Sequence, residues 1–127
     1  MSTTAVGERA APRVALVAGA VGRFGEALLN RVLGSGDYRT VVALAQAPMA
    51  LGVRGLALAA LHELPPLDDV FVALSEHHEG EGRSFHGRDA PFVQVGAGQL
   101  LAVARAACDA GASRLVLIAP TSAWQQM

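Results

Sequence analysis

The sequence predicts an α/β protein, a three-layer sandwich built on a parallel sheet of four to five strands in the order 3-2-1-4-5. Three observations predict it. Short, nearly continuous apolar runs recur at residues 14–18, 41–44, 70–74 and 115–118, the pattern of strands buried on both faces. Segments with helical spacing or composition lie between them, the alternation of βαβ units. The first run passes directly into Gly19-Ala20-Val21-Gly22-Arg23-Phe24-Gly25, a G-x-x-G-x-x-G turn that opens a helix. Together these describe a Rossmann-like arrangement with helices on both faces of the sheet.

Composition agrees. The 127 residues suit one core, and 52% are hydrophobic, high enough to call for a sheet covered on both sides. We expect residues 1–12 to be a flexible N-terminal tail and 13–127 a single domain, with no secretory signal at the start. No stretch approaches the roughly 20 apolar residues of a membrane span. A net charge of −1 offers nothing to nucleic acid or an anionic membrane. The single cysteine, Cys108, rules out an intrachain disulfide framework and fits a cytoplasmic, reducing location. All ten basic residues are arginine, so no lysine of this chain forms a Schiff base, a P-loop contact or a Tyr-x-x-x-Lys pair.

Taken in order, residues 13–18 form the first strand. From Arg23 to about Leu33, apolar Phe24, Ala27, Leu28 and Val32 alternate with Glu26, Asn30 and Arg31 at helical spacing. Gly34-Ser35-Gly36-Asp37 ends that helix. Val41, Val42 and Leu44 mark a second strand within 39–45. Between 46 and 67 the signal divides: 53–58 reads as a short third strand, while Leu58, Leu61 and Leu64 recur at helical spacing until Pro65-Pro66 stops either one. Residues 70–74 form the fourth strand, and 75–91 a long polar loop. A helix is expected from about Phe92 to Ala110, weakened early by Gly96 and Gly98 and stopped by Gly111. Residues 114–119 form the fifth strand.

The glycine turn has a chemical reading at each position. The first glycine allows a tight exit from the strand, the second lets a pyrophosphate approach the backbone, and the third lets the helix pack closely. The helix start then presents N–H groups and a positive dipole end to phosphate. The candidate dinucleotide contacts are Gly19, Val21, Gly22, Arg23, Phe24 and Gly25, with Leu74 and Ser75 at the end of the fourth strand. After the second strand, where an acid takes the NAD 2′-hydroxyl or an arginine the NADP 2′-phosphate, this chain has Ala45-Gln46-Ala47. Gln46 is able to bond a ribose but selects neither NAD nor NADP.

These residues resemble the atypical short-chain dehydrogenases, in particular the small NAD(P)-binding proteins related to the human Tat-interacting protein, with NmrA-like proteins as wider kin. The matching stretches are 14–25, 41–44, 67–75 and 92–123, the last similar to the family's A-x-x-A-A-x-x-A-G-A-x-R-x-x-L-V-S-x-x-G-A segment. The resemblance implies an NAD(P)-binding protein of oxidoreductase ancestry. It also implies departures. Ala119 stands where the family has serine after the fifth strand, with Thr121 and Ser122 in shifted positions. Family members continue into a segment that carries Tyr-x-x-x-Lys and further strands, which this sequence, ending at Met127, is expected to lack. Its one tyrosine, Tyr38, precedes the second strand, at the wrong end of the sheet for catalysis. No catalytic residue is assigned. A shortened sheet would leave the fifth strand as an edge, and we expect a homodimer partner or the C-terminal tail to cover it.

Other constellations are weaker. Glu76, His77, His78, Glu79, Glu81 and His86 have metal-ligand side chains, but a glycine-rich loop does not force convergence, and no metal site is expected. Ser75, His77 and Asp69 form a Ser-His-Asp set on paper without a G-x-S-x-G elbow. Cys108 reads as a small packing residue, His62 as partly exposed, and Trp124 as a cover for a sheet edge or partner surface.

Overall fold

The computed structural model describes residues 13–46, 52–75 and 92–119. Five strands, β1 (Val14–Ala18), β2 (Thr40–Leu44), β3 (Leu56–Ala59), β4 (Asp69–Ala73) and β5 (Arg114–Ile118), form one sheet in the order β3-β2-β1-β4-β5. Every pairing is parallel, so all five C-terminal ends lie along one edge. Helix α1 (Gly22–Gly34) follows β1, and α2 (Leu100–Asp109) precedes β5. The α/β Rossmann-like architecture and its strand order are as the apolar runs predict.

The two faces of the sheet carry separate cores. Ala15, Val17, Val41, Ala43 and Leu58 pack with Leu29 and Val32 of α1. Leu16, Ala18, Val42, Leu44, Val70 and Val72 pack with Val103 and Ala107 of α2. The period-2 alternation of β1 and β2 thus feeds both layers. That is why these strands read as unbroken apolar runs.

Several expectations are corrected. The divided signal between 46 and 67 resolves into both elements in shortened form, β3 and then a 3₁₀ turn at Leu61–Glu63. In α1 the buried residues are Gly25, Leu29 and Val32, whereas Phe24 is 46% exposed and Ala27 is exposed. Val32 and Leu28 lie on the core side as the spacing predicts, whereas Gly25 takes the place of Phe24 against the sheet. Cys108 is exposed and is not a packing residue. The helix expected from Phe92 begins only with a 3₁₀ turn at Ala97–Gln99 that leads into α2. Residues 92–96 are extended instead. β-Branched Val93 and Val95 favour that conformation, and main-chain bonds to β2 and to the end of β4 hold it.

The N-terminal edge of the sheet is pinned by Asp69. Its buried carboxylate accepts bonds at Oδ2 from Tyr38 Oη at 2.5 Å, Arg13 Nη2 at 2.8 Å and Arg114 Nη2 at 3.2 Å. Beside it, Asp68 Oδ2 accepts the Val14 N–H at 2.8 Å. Burial pushes the Asp69 carboxyl up, but the bonds from Tyr38 and Arg13 and the charges of both arginines outweigh it and hold the group below the ordinary carboxylate range. Burial, reinforced by Asp69, raises the Tyr38 phenol. One carboxylate therefore ties together the starts of β1, β4 and β5 and the residue two before β2.

Candidate functional site

The order β3-β2-β1-β4-β5 reverses direction between β1 and β4: the chain leaves β1 for β2 on one side and later returns to place β4 on the other. The C-terminal ends of the strands at such a reversal flank the crevice where open α/β sheets bind ligands. Gly19 to Gly25 sits at that point, directly after β1.

Each glycine of the turn answers a different steric demand. Gly19 has φ +87°, and a Cβ there would lie 2.2 Å from the Ala73 carbonyl oxygen at the end of β4. Only glycine fits, because the turn passes directly against the neighbouring strand. Gly25 is limited by packing alone: a Cβ would lie 2.0 Å from the Gly19 carbonyl oxygen, so α1 rests on the turn that precedes it. Gly22 differs from both. Its φ is +72°, yet among the described residues a Cβ would meet nothing within 4 Å. Its backbone conformation favours glycine, and the space beside it is open.

Around this turn, Arg23 is exposed, Phe24 is largely exposed and Val21 is half-buried against the α1-side core. The N-cap position, Val21, makes no side-chain cap bond, and the first turn of α1 has no acidic residue. An anion approaching this helix start meets a positive dipole end and one arginine, with no opposing carboxylate in that turn. Gln46 is exposed just past β2, and Leu74 and Ser75 follow β4. The Leu74 side chain is buried in the α2-side core, and its N–H bonds Ile118 O at 2.9 Å, leaving at most its main chain for a ligand. The fold thus gathers Gly19, Val21, Gly22, Arg23, Phe24 and Gly25 at the end of β1, with Gln46 on one flank and Leu74 and Ser75 on the other.

One part of the site was not anticipated. Residues 92–96 cross the sheet's C-terminal edge. Phe92 bridges Ala45, and the Val93 N–H bonds Leu44 O at 3.2 Å. The Ser75 N–H bonds Val95 O at 2.7 Å, and Gln94 Nε2 donates to Ser75 Oγ. The β-branched pair Val93 and Val95 on either side of polar Gln94 is the available signal, but the helical composition of α2 downstream masks it.

Other proposed sets separate. Asp69 and Ser75 lie at opposite edges of the sheet, about 20 Å apart along an extended strand, so a Ser-His-Asp assembly on them cannot form. Tyr38 lies at the N-terminal edge, engaged with Asp69. The His62 side chain is 79% exposed, 3.7 Å from Glu63. Ala119 is half-buried against the α2-side core. The metal-type residues at 76–86, together with Thr121, Ser122 and Trp124, lie outside the described residues. Among the described residues no group of three or more His, Cys, Asp or Glu is placed to hold a metal, and no helix is long and apolar enough to cross a membrane.

Compared with known proteins, the chain matches no family model, and no curated protein matches its sequence.

Proposed function

We propose that this chain is an NAD(P)-binding protein of the atypical short-chain dehydrogenase type, binding the pyrophosphate of NAD or NADP at the Gly19–Gly25 turn. The observation that carries the reading is the contrast among the three glycines. Gly19 and Gly25 are required by the protein's own packing, whereas Gly22 is left-handed beside open space. Gly22, left-handed at the first position of α1 with open space beside it among the described residues, suits a ligand that approaches the backbone. The cradle therefore fits a dinucleotide phosphate: Gly22 gives access, Arg23 supplies charge, and Gln46, exposed just past β2, offers an amide for a ribose.

A bound nicotinamide would supply hydride chemistry. The residues of this chain are better suited to holding it than to moving a proton beside it. Tyr38 is committed to Asp69 at the opposite edge, and the chain has no lysine to accompany it. That placement favours a second reading within the first, a dinucleotide-sensing regulator or protein-interaction scaffold in the cytoplasm, acting without turnover.

Titration calorimetry with NAD, NADH, NADP and NADPH tests the binding claim. Saturable binding of at least one is expected, and no binding by any of the four at millimolar concentration overturns it. A hydride-transfer assay then separates an oxidoreductase from a sensor.

A further inference from the structure

We propose that residues 92–96 form a strap that closes the adenosine side of the crevice and is displaced from β2 when a dinucleotide binds. The inference rests on the dinucleotide reading above and adds a moving part to it.

The topology places the strap. β1 lies between β2 and β4 and stops at Ala18. The strap bonds to Leu44 and Ala45 on the β2 side and to Ser75 on the β4 side. It therefore spans the gap beyond the end of β1, where the glycine turn opens. It also passes from one layer to the other. Phe92, 8% exposed, belongs to the α1-side core with Ala20 and Ala45, while Val95, 1% exposed, belongs to the α2-side core. In a dinucleotide site of this topology, the ribose nearest the adenine lies at the end of the second strand. Here Ala45 at that end is paired on one side with Ala59, through its N–H at 2.9 Å, and on the other with Phe92. The strap and an adenosine compete for the same strand end.

The downstream end of the strap is the more firmly anchored, and this sets the direction of opening. On the β2 side, among the described residues, the strap has the Ala45–Phe92 bridge, a main-chain bond of 3.2 Å from Val93 to Leu44 and the Phe92 side chain. On the β4 side it has a 2.7 Å main-chain bond and the Gln94–Ser75 pair. Its downstream end is fixed further, since the Gly96 N–H bonds Gln99 Oε1 at 2.8 Å and the Gln99 N–H bonds Gly96 O at 3.0 Å. The strap is hinged at β4 and α2 and latched at β2 by Phe92 and Val93. A pyrophosphate alone, seated at the glycine turn, leaves the latch closed. A complete dinucleotide opens it.

Amide hydrogen exchange on the full chain reads the latch directly. With saturating NADPH, the Val93 amide is expected to lose protection while the Ser75 amide keeps it. Inorganic pyrophosphate is expected to leave both unchanged. Phe92→Ala removes the latch and should tighten NADPH binding by about five-fold or more, because less of the protein is held in the closed state, with pyrophosphate affinity unaltered. Val93→Pro removes the donor to Leu44 while keeping an apolar side chain against the α2-side core, and should act in the same direction if Phe92→Ala fails to fold. Weaker or unchanged NADPH binding by the variants, or full Val93 protection in saturating NADPH, overturns the strap alone. Failure of wild type and variants to bind any dinucleotide overturns the dinucleotide reading and the strap with it.

Discussion

Gly22 separates binding from folding more cleanly than any other residue of the turn. Among the described residues a methyl group there meets no atom within 4 Å, so Gly22→Ala carries chiefly the cost of a left-handed alanine, about 1–2 kcal/mol. It should fold, melt slightly lower and bind NADPH at least about ten-fold more weakly, because the methyl occupies the approach of the pyrophosphate. Calorimetry and a denaturant titration on one sample check both halves, and wild-type affinity in the variant would remove the phosphate cradle. Gly19→Ala is the counterpart. With φ +87° and a Cβ placed 2.2 Å from Ala73 O, it should cost about 3–5 kcal/mol and be lost to unfolding. At the other edge, Asp69 predicts an acid sensitivity. Its folded pKa lies below the ordinary carboxylate value. The stability it contributes is therefore complete above about pH 4, the unfolded value, and is lost as pH falls through the folded one. Tyr38→Phe removes one charge-assisted bond, should cost about 2 kcal/mol, and should move the acid limb of the stability curve to higher pH. An unmoved acid limb would show that Tyr38 does not hold Asp69 ionised.

At the level of elements, β1, β2, β4 and the turn after β1 were legible because burial on both faces writes a continuous apolar run, and glycine spacing writes the turn. What was not legible has physical causes. In α1 the buried stripe includes Gly25, which carries no hydrophobic signal, so the first turn of the helix is the part whose buried face the pattern does not report. In 92–96 the conformation is held by Leu44 and Ser75, partners distant in sequence that no local pattern reports. The Asp69 cluster was hidden for the same reason: Arg13, Tyr38 and Arg114 reach it across 56, 31 and 45 residues of chain. Of the candidate site, the glycine turn and its flanks were legible because they are local to β1, β2 and β4, whereas Gln94 and the strap were not. On α2, alanine-rich composition obscured which face is buried. Val103 and Ala107 point inward, leaving Leu101 at 62% exposure and Cys108 on the surface. Cys108 should react fully with a thiol reagent under native conditions, with no change in the circular dichroism spectrum. Reaction only after denaturant is added would place it in the core after all.

Across the whole molecule, the parallel sheet divides labour between its two edges. The N-terminal edge is a polar clamp on one carboxylate, and the C-terminal edge carries the glycine turn and the strap. A five-residue strand separates them by about 17 Å. Substitutions with no shared partners at such a distance add to within a few tenths of a kcal/mol. This gives a test of whether the clamp serves stability alone. Ligand that binds only the folded state raises stability by about 2.7 kcal/mol at a concentration one hundred times its dissociation constant. Tyr38→Phe should lower the melting temperature in the absence of ligand and leave the NADPH-induced increment in stability unchanged. Gly22→Ala should do the reverse, with a small loss at rest and a much reduced increment at the same NADPH concentration. The double variant should show the sum of the two effects on resting stability and the reduced increment of Gly22→Ala alone. If Tyr38→Phe also cuts the increment, the two edges are coupled through β1 and β4, and the clamp helps to set the width of the crevice as well as the stability of the sheet.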